Sequence, residues 1–334
     1  MNYIGSKLSL IPFIDSVIKK VCGEHLKDAV FCDLFAGTGI VGRHFKLSAK
    51  KIIANDLEYY SYVLNRNYIG NHQPLDNADD FIDALNQLPP MKDGFIYENY
   101  SEGGSGDRLY FSSHNGKKID AVRTQIEMWH SSGEISADMY FFLLASLLES
   151  ADKVANTASV YGAFLKKIKK SAQAPIEIKP AAFSVNDTNH DVYQEDANQL
   201  IGEIRGDILY LDPPYNSRQY GANYHLLNTI AIYKPFEPQG KTGLPDYNRS
   251  QYCGKKTVQR QLDQLIREAE FPYIFLSYNN EGLMSLDDIK TTFEKYGKYA
   301  LYQSEYRRFR ADREERRSHK SSTTTEYLHV LVKE

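Results

Sequence analysis

A chain of 334 residues is long enough for one large domain or two ordinary ones, each with ample core. Its 42% hydrophobic and 25% charged residues are those of a soluble globular protein, and a net charge of −3 means that any nucleic-acid surface must be a local patch. No apolar run approaches membrane length and no charged leader with a cleavage site opens the chain, so a cytoplasmic protein with no membrane partner is expected. Cys22, Cys32 and Cys253 are odd in number and lack metal-ligand spacing, which predicts a reducing compartment and no structural metal.

In chain order, Leu10, Ile11, Phe13, Ile14, Val17, Ile18 and Val21 recur at helical spacing and predict an amphipathic helix. A small turn at Gly5-Ser6 precedes it, with Tyr3 and Lys7 close by; taken alone, Lys7 reads as an ordinary exposed lysine. Val30-Phe31-Cys32-Asp33-Leu34-Phe35-Ala36-Gly37-Thr38-Gly39 then reads as a strand running into a glycine turn and an apolar helix start. Glycines let a ligand approach the backbone, and a helix N-terminus favours partial negative charge.

A second strand, Lys51-Ile52-Ile53-Ala54, ends at Asn55-Asp56, seventeen residues beyond Gly39. There, doubly wound folds hold the ribose hydroxyls of a nucleoside with an acid; a loop carboxylate or helix cap is the plain alternative for Asp56 alone. The turn lacks the third glycine of the dinucleotide pattern and carries Asp33 ahead of Phe35. An acid in that place suits an amino-acid ammonium better than a pyrophosphate. S-adenosylmethionine joins such an ammonium to an adenosine and a transferable methyl.

Residues 60–185 break the strand–helix rhythm. A loop-like stretch over 99–116 is followed by helical patterns near 117–130 and 136–156. Asp212 lies 173 residues beyond Gly39, whereas simple alternation places a fourth strand roughly 70–80 residues after the first. About a hundred extra residues therefore form a helical insertion between the second and third strands. Within it Lys166, Lys167, Lys169 and Lys170 surround Ile168 and make a basic spot suited to phosphate, or equally a solvated helix end.

A short strand near 191 ends in Asp196, an acid able to accept from an adenine amine. Ile208-Leu209-Tyr210-Leu211 is a short apolar run of the kind buried on both faces of a parallel sheet, and Asp212-Pro213-Pro214-Tyr215 must end it because proline removes backbone donors. Open α/β sheets place their ligands at this carboxyl edge. The Asp212 carboxylate and the Pro213 carbonyl can each accept one hydrogen of a planar amine while Tyr215 stacks on its ring. Asn216, Arg218 and Tyr220 lead into a helix ending near Ile232; a loop at 239–256, a helix near 257–269 and a strand over Tyr273–Asn280 follow. The tail reads as a hairpin with strands near 298–309 and 325–333, and its loop, Arg307 to Lys320, has seven basic and three acidic residues.

In motif order these residues resemble the Dam-like, alpha-class S-adenosylmethionine-dependent DNA adenine-N6 methyltransferases, and the stretches Asn2–Lys7 and 216–225 look most like modification enzymes of restriction–modification systems. The resemblance implies an α/β fold: a Rossmann-like methyltransferase sheet with a C-terminal β-hairpin in 1–60 and 186–334, and a mainly helical target-recognition domain in 61–185. It implies Asp212, Pro213, Pro214 and Tyr215 as catalytic, and Tyr3, Lys7, Asp33, Phe35, Gly37, Thr38, Gly39, Asp56 and Asp196 as cofactor-binding. Contacts to double-stranded DNA are expected from Asn216, Arg218, Tyr220, Asn279, Lys166, Lys167, Arg316 and Arg317. It further implies base flipping, a cognate restriction endonuclease without a stable complex, and a cytoplasmic, nucleoid-associated enzyme. One departure is Ala197, where relatives often carry an aromatic after the Asp196 equivalent. Competing readings are an amino-methyltransferase acting on cytosine N4, RNA adenine or a glutamine amide, and a non-catalytic DNA-binding subunit on the same fold.

Overall fold

Ile208–Leu211 is buried at all four positions, as a strand covered on both faces must be. In the computed structural model, which describes residues 7–307 and 323–334, this strand is the centre of a seven-stranded sheet. The strands are β1 (Val30–Asp33), β2 (Lys51–Asn55), β3 (Asp191–Tyr193), β4 (Ile208–Leu211), β5 (Tyr273–Asn279), β6 (Gly297–Arg307) and β7 (Thr323–Lys333). Their spatial order is β3-β2-β1-β4-β5-β7-β6. The first five run parallel, and β7 slots antiparallel between β5 and β6.

The order reverses between β1 and β4, which leave their carboxyl ends side by side, with Asp33 opposite Tyr210. Ligands of open α/β sheets bind at such a reversal. Because β7 is antiparallel, it begins at the same edge where β4 and β5 end, and Glu326 pairs with Asn279 there. The expected C-terminal hairpin is present, and its inner strand is inserted into the sheet.

The chain divides into two compact units. One contains Ser6–Leu57, Thr188–Gln219 and Arg249–Glu334 and carries the sheet. Its core joins Leu209 and Leu211 of β4 to Ile274 and Leu276 of β5 and to Leu262, Leu265 and Ile266 on one face of the helix Val258–Glu268.

The other unit is helical and contains Glu58–Asp187 together with Tyr220–Asn248. The second segment differs from the expected 61–185 boundary. Its physical reason is packing: Tyr224, Leu226, Leu227, Ile230 and Ala231 are buried in the same core as Leu143, Leu144, Leu147 and Leu148. Two long helices, Ser113–Ser131 and Ala137–Val154, form the centre. The first starts earlier than the apolar pattern suggests, because the Ser112 hydroxyl accepts the Asn115 N–H and caps it. Buried cations close other helix ends: the Lys118 ammonium donates to the carbonyls of Leu85, Asn86 and Leu88, and Arg123 donates to those of Ile230 and Ala231. No helix of the described residues is long and apolar enough to cross a membrane.

Candidate active site

The glycine turn after β1 is fixed by its neighbours. Gly37 and Gly39 have φ of 53° and 75°, a region costly for a residue with a Cβ. The Gly37 N–H donates to Oδ2 of Asp56 at 2.8 Å, so the acid at the end of β2 is drawn over the turn. Asn55, buried beneath it, ties three segments together: its side-chain amide donates to the carbonyls of Leu34 and Glu195, and its oxygen accepts the Glu195 N–H.

Asp33 lies at the end of β1, 1% exposed, and Oδ2 accepts the Gly42 N–H at 3.0 Å. Burial pushes its carboxyl up to about 7, further than that hydrogen bond lowers it, and the charges of Asp212 and Asp56 add to the push. These residues fit S-adenosylmethionine on this structure's own terms. A turn with glycines on both sides of Thr38 offers the backbone, Asp56 offers a partly exposed carboxylate, and Asp33 is a buried acid that a ligand ammonium would relieve. Phe35 packs edge-on against Tyr252 at 5.0 Å, and the Tyr252 hydroxyl donates to Oδ1 of Asn198. Asn198 in turn is held by Asp196, which caps the short helix Ala197–Leu200. Ala197 is buried, so the aromatic surface near Asp196 comes from Tyr252, a residue the motif pattern did not point to.

Beyond β4, the side chain of Asp212 keeps 20% of its surface exposed, whereas Lys7 is 6% exposed. The Lys7 ammonium lies 3.0 Å from Oδ1 of Asp212 and 3.0 Å from Oε1 of Glu326. Lys7 is thus not the exposed lysine that a single-residue reading suggests. Burial alone would lower its pKa, but the two carboxylates outweigh that and hold it well above the ordinary value. Burial raises Asp212 to about 6; Lys7 opposes the rise and Glu326 adds to it. The Ser277 hydroxyl donates to Oε1 of Glu326 at 2.6 Å, and Glu326 itself is 2% exposed. Sequence reasoning missed Glu326, whose local signal is a lone acid inside a strand rich in β-branched, aromatic and aliphatic residues.

The Asp212–Tyr215 turn is anchored on its far side as well. The Leu283 N–H donates to the Tyr215 carbonyl at 2.9 Å, and Asn279 accepts the Glu281 N–H in the same loop. Asn216 accepts the Arg218 N–H and closes a tight turn with Arg218 exposed. Tyr220 belongs to the helical unit and stacks on Tyr224 at 6.0 Å. Lys166 and Lys167 are exposed in a loop of that unit, not on a helix; Lys169 is tied down by the Thr157 carbonyl. Tyr3, Arg316 and Arg317 lie outside the described residues.

The sheet order, the glycine turn at the reversal point and the acids at the strand ends define a Rossmann-like methyltransferase. A family model described as D12 class N6 adenine-specific DNA methyltransferase matches residues 3–292. Type II methyltransferase M.NlaIII of Neisseria lactamica is 62% identical over 333 residues, covering 100% of this chain and 99% of that protein. M.CviAII of Paramecium bursaria Chlorella virus 1 is 38% identical, with 93% of each chain covered. M.FokI of Planomicrobium okeanokoites is 35% identical over all of this chain, which spans 53% of that protein's length. The chain belongs to the D12 class of N6 adenine-specific DNA methyltransferases. It transfers a methyl group from S-adenosylmethionine to N6 of adenine in specific DNA.

Proposed function

We propose that this enzyme flips its target adenine from double-stranded DNA and holds it against the Asp212–Tyr215 turn, in a restriction–modification role alongside a cognate endonuclease. The observation that carries the assignment is the Lys7–Asp212 pair. Lys7 engages Oδ1, so Oδ2 of Asp212 is the oxygen that accepts one N6 hydrogen. The Pro213 carbonyl accepts the other, and the half-buried Tyr215 ring stacks on the base. Accepting both hydrogens pushes electron density onto N6 and aims its lone pair.

S-adenosylmethionine, when bound, supplies an electrophilic sulfonium methyl. Asp33 would take its ammonium, Asp56 its ribose hydroxyls and Asp196 its adenine amine, with Lys7 at the same edge paired to Asp212 and Glu326. Flipping costs a few kcal/mol, small beside the roughly 7–11 kcal/mol that fixed orientation supplies. No strong base is needed, because the proton leaves N6 after that atom has become cationic. We assign sequence reading to the helical unit, with Lys166 and Lys167 on phosphate, and phosphate contact also to Arg218, Arg316 and Arg317; Asn216, Tyr220 and Asn279 are assigned to the DNA near the target.

Modification-sensitive sequencing of DNA from a methylation-free host tests this reading. The wild-type chain should give N6-methyladenine at one sequence pattern, and Asp212→Ala should give none while still binding S-adenosylmethionine. Retention of more than about a tenth of turnover by the variant, a loss under ~1.4 kcal/mol, would remove Asp212 from the chemistry.

A further inference from the structure

Three adjacent strands meet at the carboxyl edge: two bring carboxylates to a single ammonium, and the third brings a hydroxyl to one of those carboxylates. Asp212 follows β4, Ser277 lies on β5 and Glu326 lies near the start of β7. The ammonium of Lys7 sits between the two carboxylates at equal distances of 3.0 Å. Ser277 fixes the oxygen of Glu326 that Lys7 uses, and Oε2 of Glu326 is buried with no hydrogen-bond partner among the described residues. A buried carboxylate with one oxygen unmatched is costly to keep, so its place beside the reacting residue calls for a role.

We propose that Glu326 is a positioning residue for methyl transfer: with Ser277 it holds the Lys7 ammonium off-centre from Asp212, so that Lys7 grips Oδ1 alone and Oδ2 stays open to the target amine. This rests on Asp212 being the residue that accepts the N6 hydrogen. Without Glu326, Lys7 is free to move onto both oxygens of Asp212 and compete with the substrate. Sharing the ammonium has a second effect, because an acceptor less neutralised by its cation pulls harder on the amine hydrogen.

Among the described residues, the charged and titratable groups around Asp212 are few enough to name. Lys7 comes from the segment before the first helix, Tyr210 from β4, Tyr215 from the turn, Glu326 from β7, and Asp33 from β1. Arg218 acts on Tyr215 from the edge of the turn. Of these, Lys7 favours the ionised form of Asp212 and Glu326 opposes it. Activity needs Asp212 ionised, so the acid limb of the rate profile follows its proton. Removing the Glu326 charge lets Asp212 ionise at lower pH, and the limb moves to the acid side.

The test measures single-turnover methylation of a duplex bearing the cognate site, as a function of pH, in Glu326→Gln, Ser277→Ala and wild type. Glu326→Gln should lower the plateau rate at least tenfold, shift the acid limb to lower pH, and leave S-adenosylmethionine affinity within about twofold. Ser277→Ala, which keeps the Glu326 charge but frees the oxygen that Lys7 uses, should lower the plateau by a smaller factor with the limb not moved to lower pH, and serves if Glu326→Gln does not fold. Glu326→Asp restores the charge and should return the limb toward wild type. A purely structural role would lower the amount of folded protein and leave the limb where it was. Wild-type plateau and limb in a folded Glu326→Gln enzyme overturn the inference, provided Asp212→Ala is inactive; an active Asp212→Ala enzyme instead removes the reading on which it rests.

Discussion

The backbone N–H of Leu283 donates to the carbonyl of Tyr215, so the turn that ends β4 is pinned to the loop that follows β5. The loop is in turn shaped by Tyr278, whose hydroxyl accepts the N–H groups of Leu283 and Met284. Gly282 lies flat on that ring, and a Cβ there would come within 2.0 Å of it. Gly282→Ala must therefore displace the loop and slacken Tyr215. The expected outcome is a methylation rate reduced tenfold or more, about 1.4 kcal/mol of barrier, with S-adenosylmethionine binding unchanged in calorimetry. A wild-type rate would mean that Tyr215 needs no such anchor.

Cofactor binding should release a proton. Asp33 in the free enzyme is raised to about 7 from its ordinary value of 3.8, and an ammonium ligand requires it ionised. Affinity should therefore tighten by close to tenfold per pH unit below 7 and level off above it. Calorimetry in two buffers of different ionisation enthalpy reads the released proton directly, and Asp33→Asn should abolish both the release and the slope. The same raised carboxyl has a stability consequence of fixed sign: the native state holds a proton that the unfolded chain has lost. The stability it lends is present below about pH 4 and disappears as pH climbs toward 7.

Asn55 should matter to folding and to the cofactor together. Asn55→Ala strands the Leu34 carbonyl and both backbone groups of Glu195 that it now satisfies. Each stranded group costs about 1–3 kcal/mol when water cannot reach it. A urea titration should show the midpoint lowered with its slope kept, and S-adenosylmethionine should bind more weakly because Asp56 follows Asn55 directly. An unchanged midpoint would mean that water replaces the amide.

Specificity should travel with the helical unit as a whole. Residues 58–187 and 220–248 share one core, so exchanging both for those of a relative with another target should give a folded enzyme with the donor's sites. Exchanging 58–187 alone should give a poorly folded chain, since Leu226, Leu227 and Ile230 would meet foreign partners. A joint chimera that is active and still modifies the original sequence would place recognition in the sheet unit.

Much of the site could be read directly from the chain because its parts are local. The glycine turn, Asp56 and the Asp212–Tyr215 turn each follow a strand whose apolar pattern is unbroken, so position relative to the sheet edge follows from neighbours in sequence. Glu326 could not be read this way. Its meaning depends on β7 entering the sheet antiparallel beside β5, and nothing in Thr323-Thr324-Thr325-Glu326-Tyr327 states which strand it joins. Lys7 was legible as a motif residue but not as a buried one, because its burial comes from carboxylates hundreds of residues away. Tyr220–Asn248 looked like part of the sheet unit by its place after Tyr215. Only the packing of Tyr224 and Leu227 assigns it to the helical core.

Lys7 and Glu326 are 319 residues apart in sequence and form one buried ion pair. During synthesis, the glycine turn and the Asp212 turn both emerge from the ribosome well before β7 does. Until that strand threads between β5 and β6, the lysine has no second carboxylate and the sheet has an open edge where β7 belongs. A nascent chain can thus shape much of its cofactor cleft early, yet on the role inferred for Glu326 it gains the ability to mark DNA only once β7 has joined the sheet.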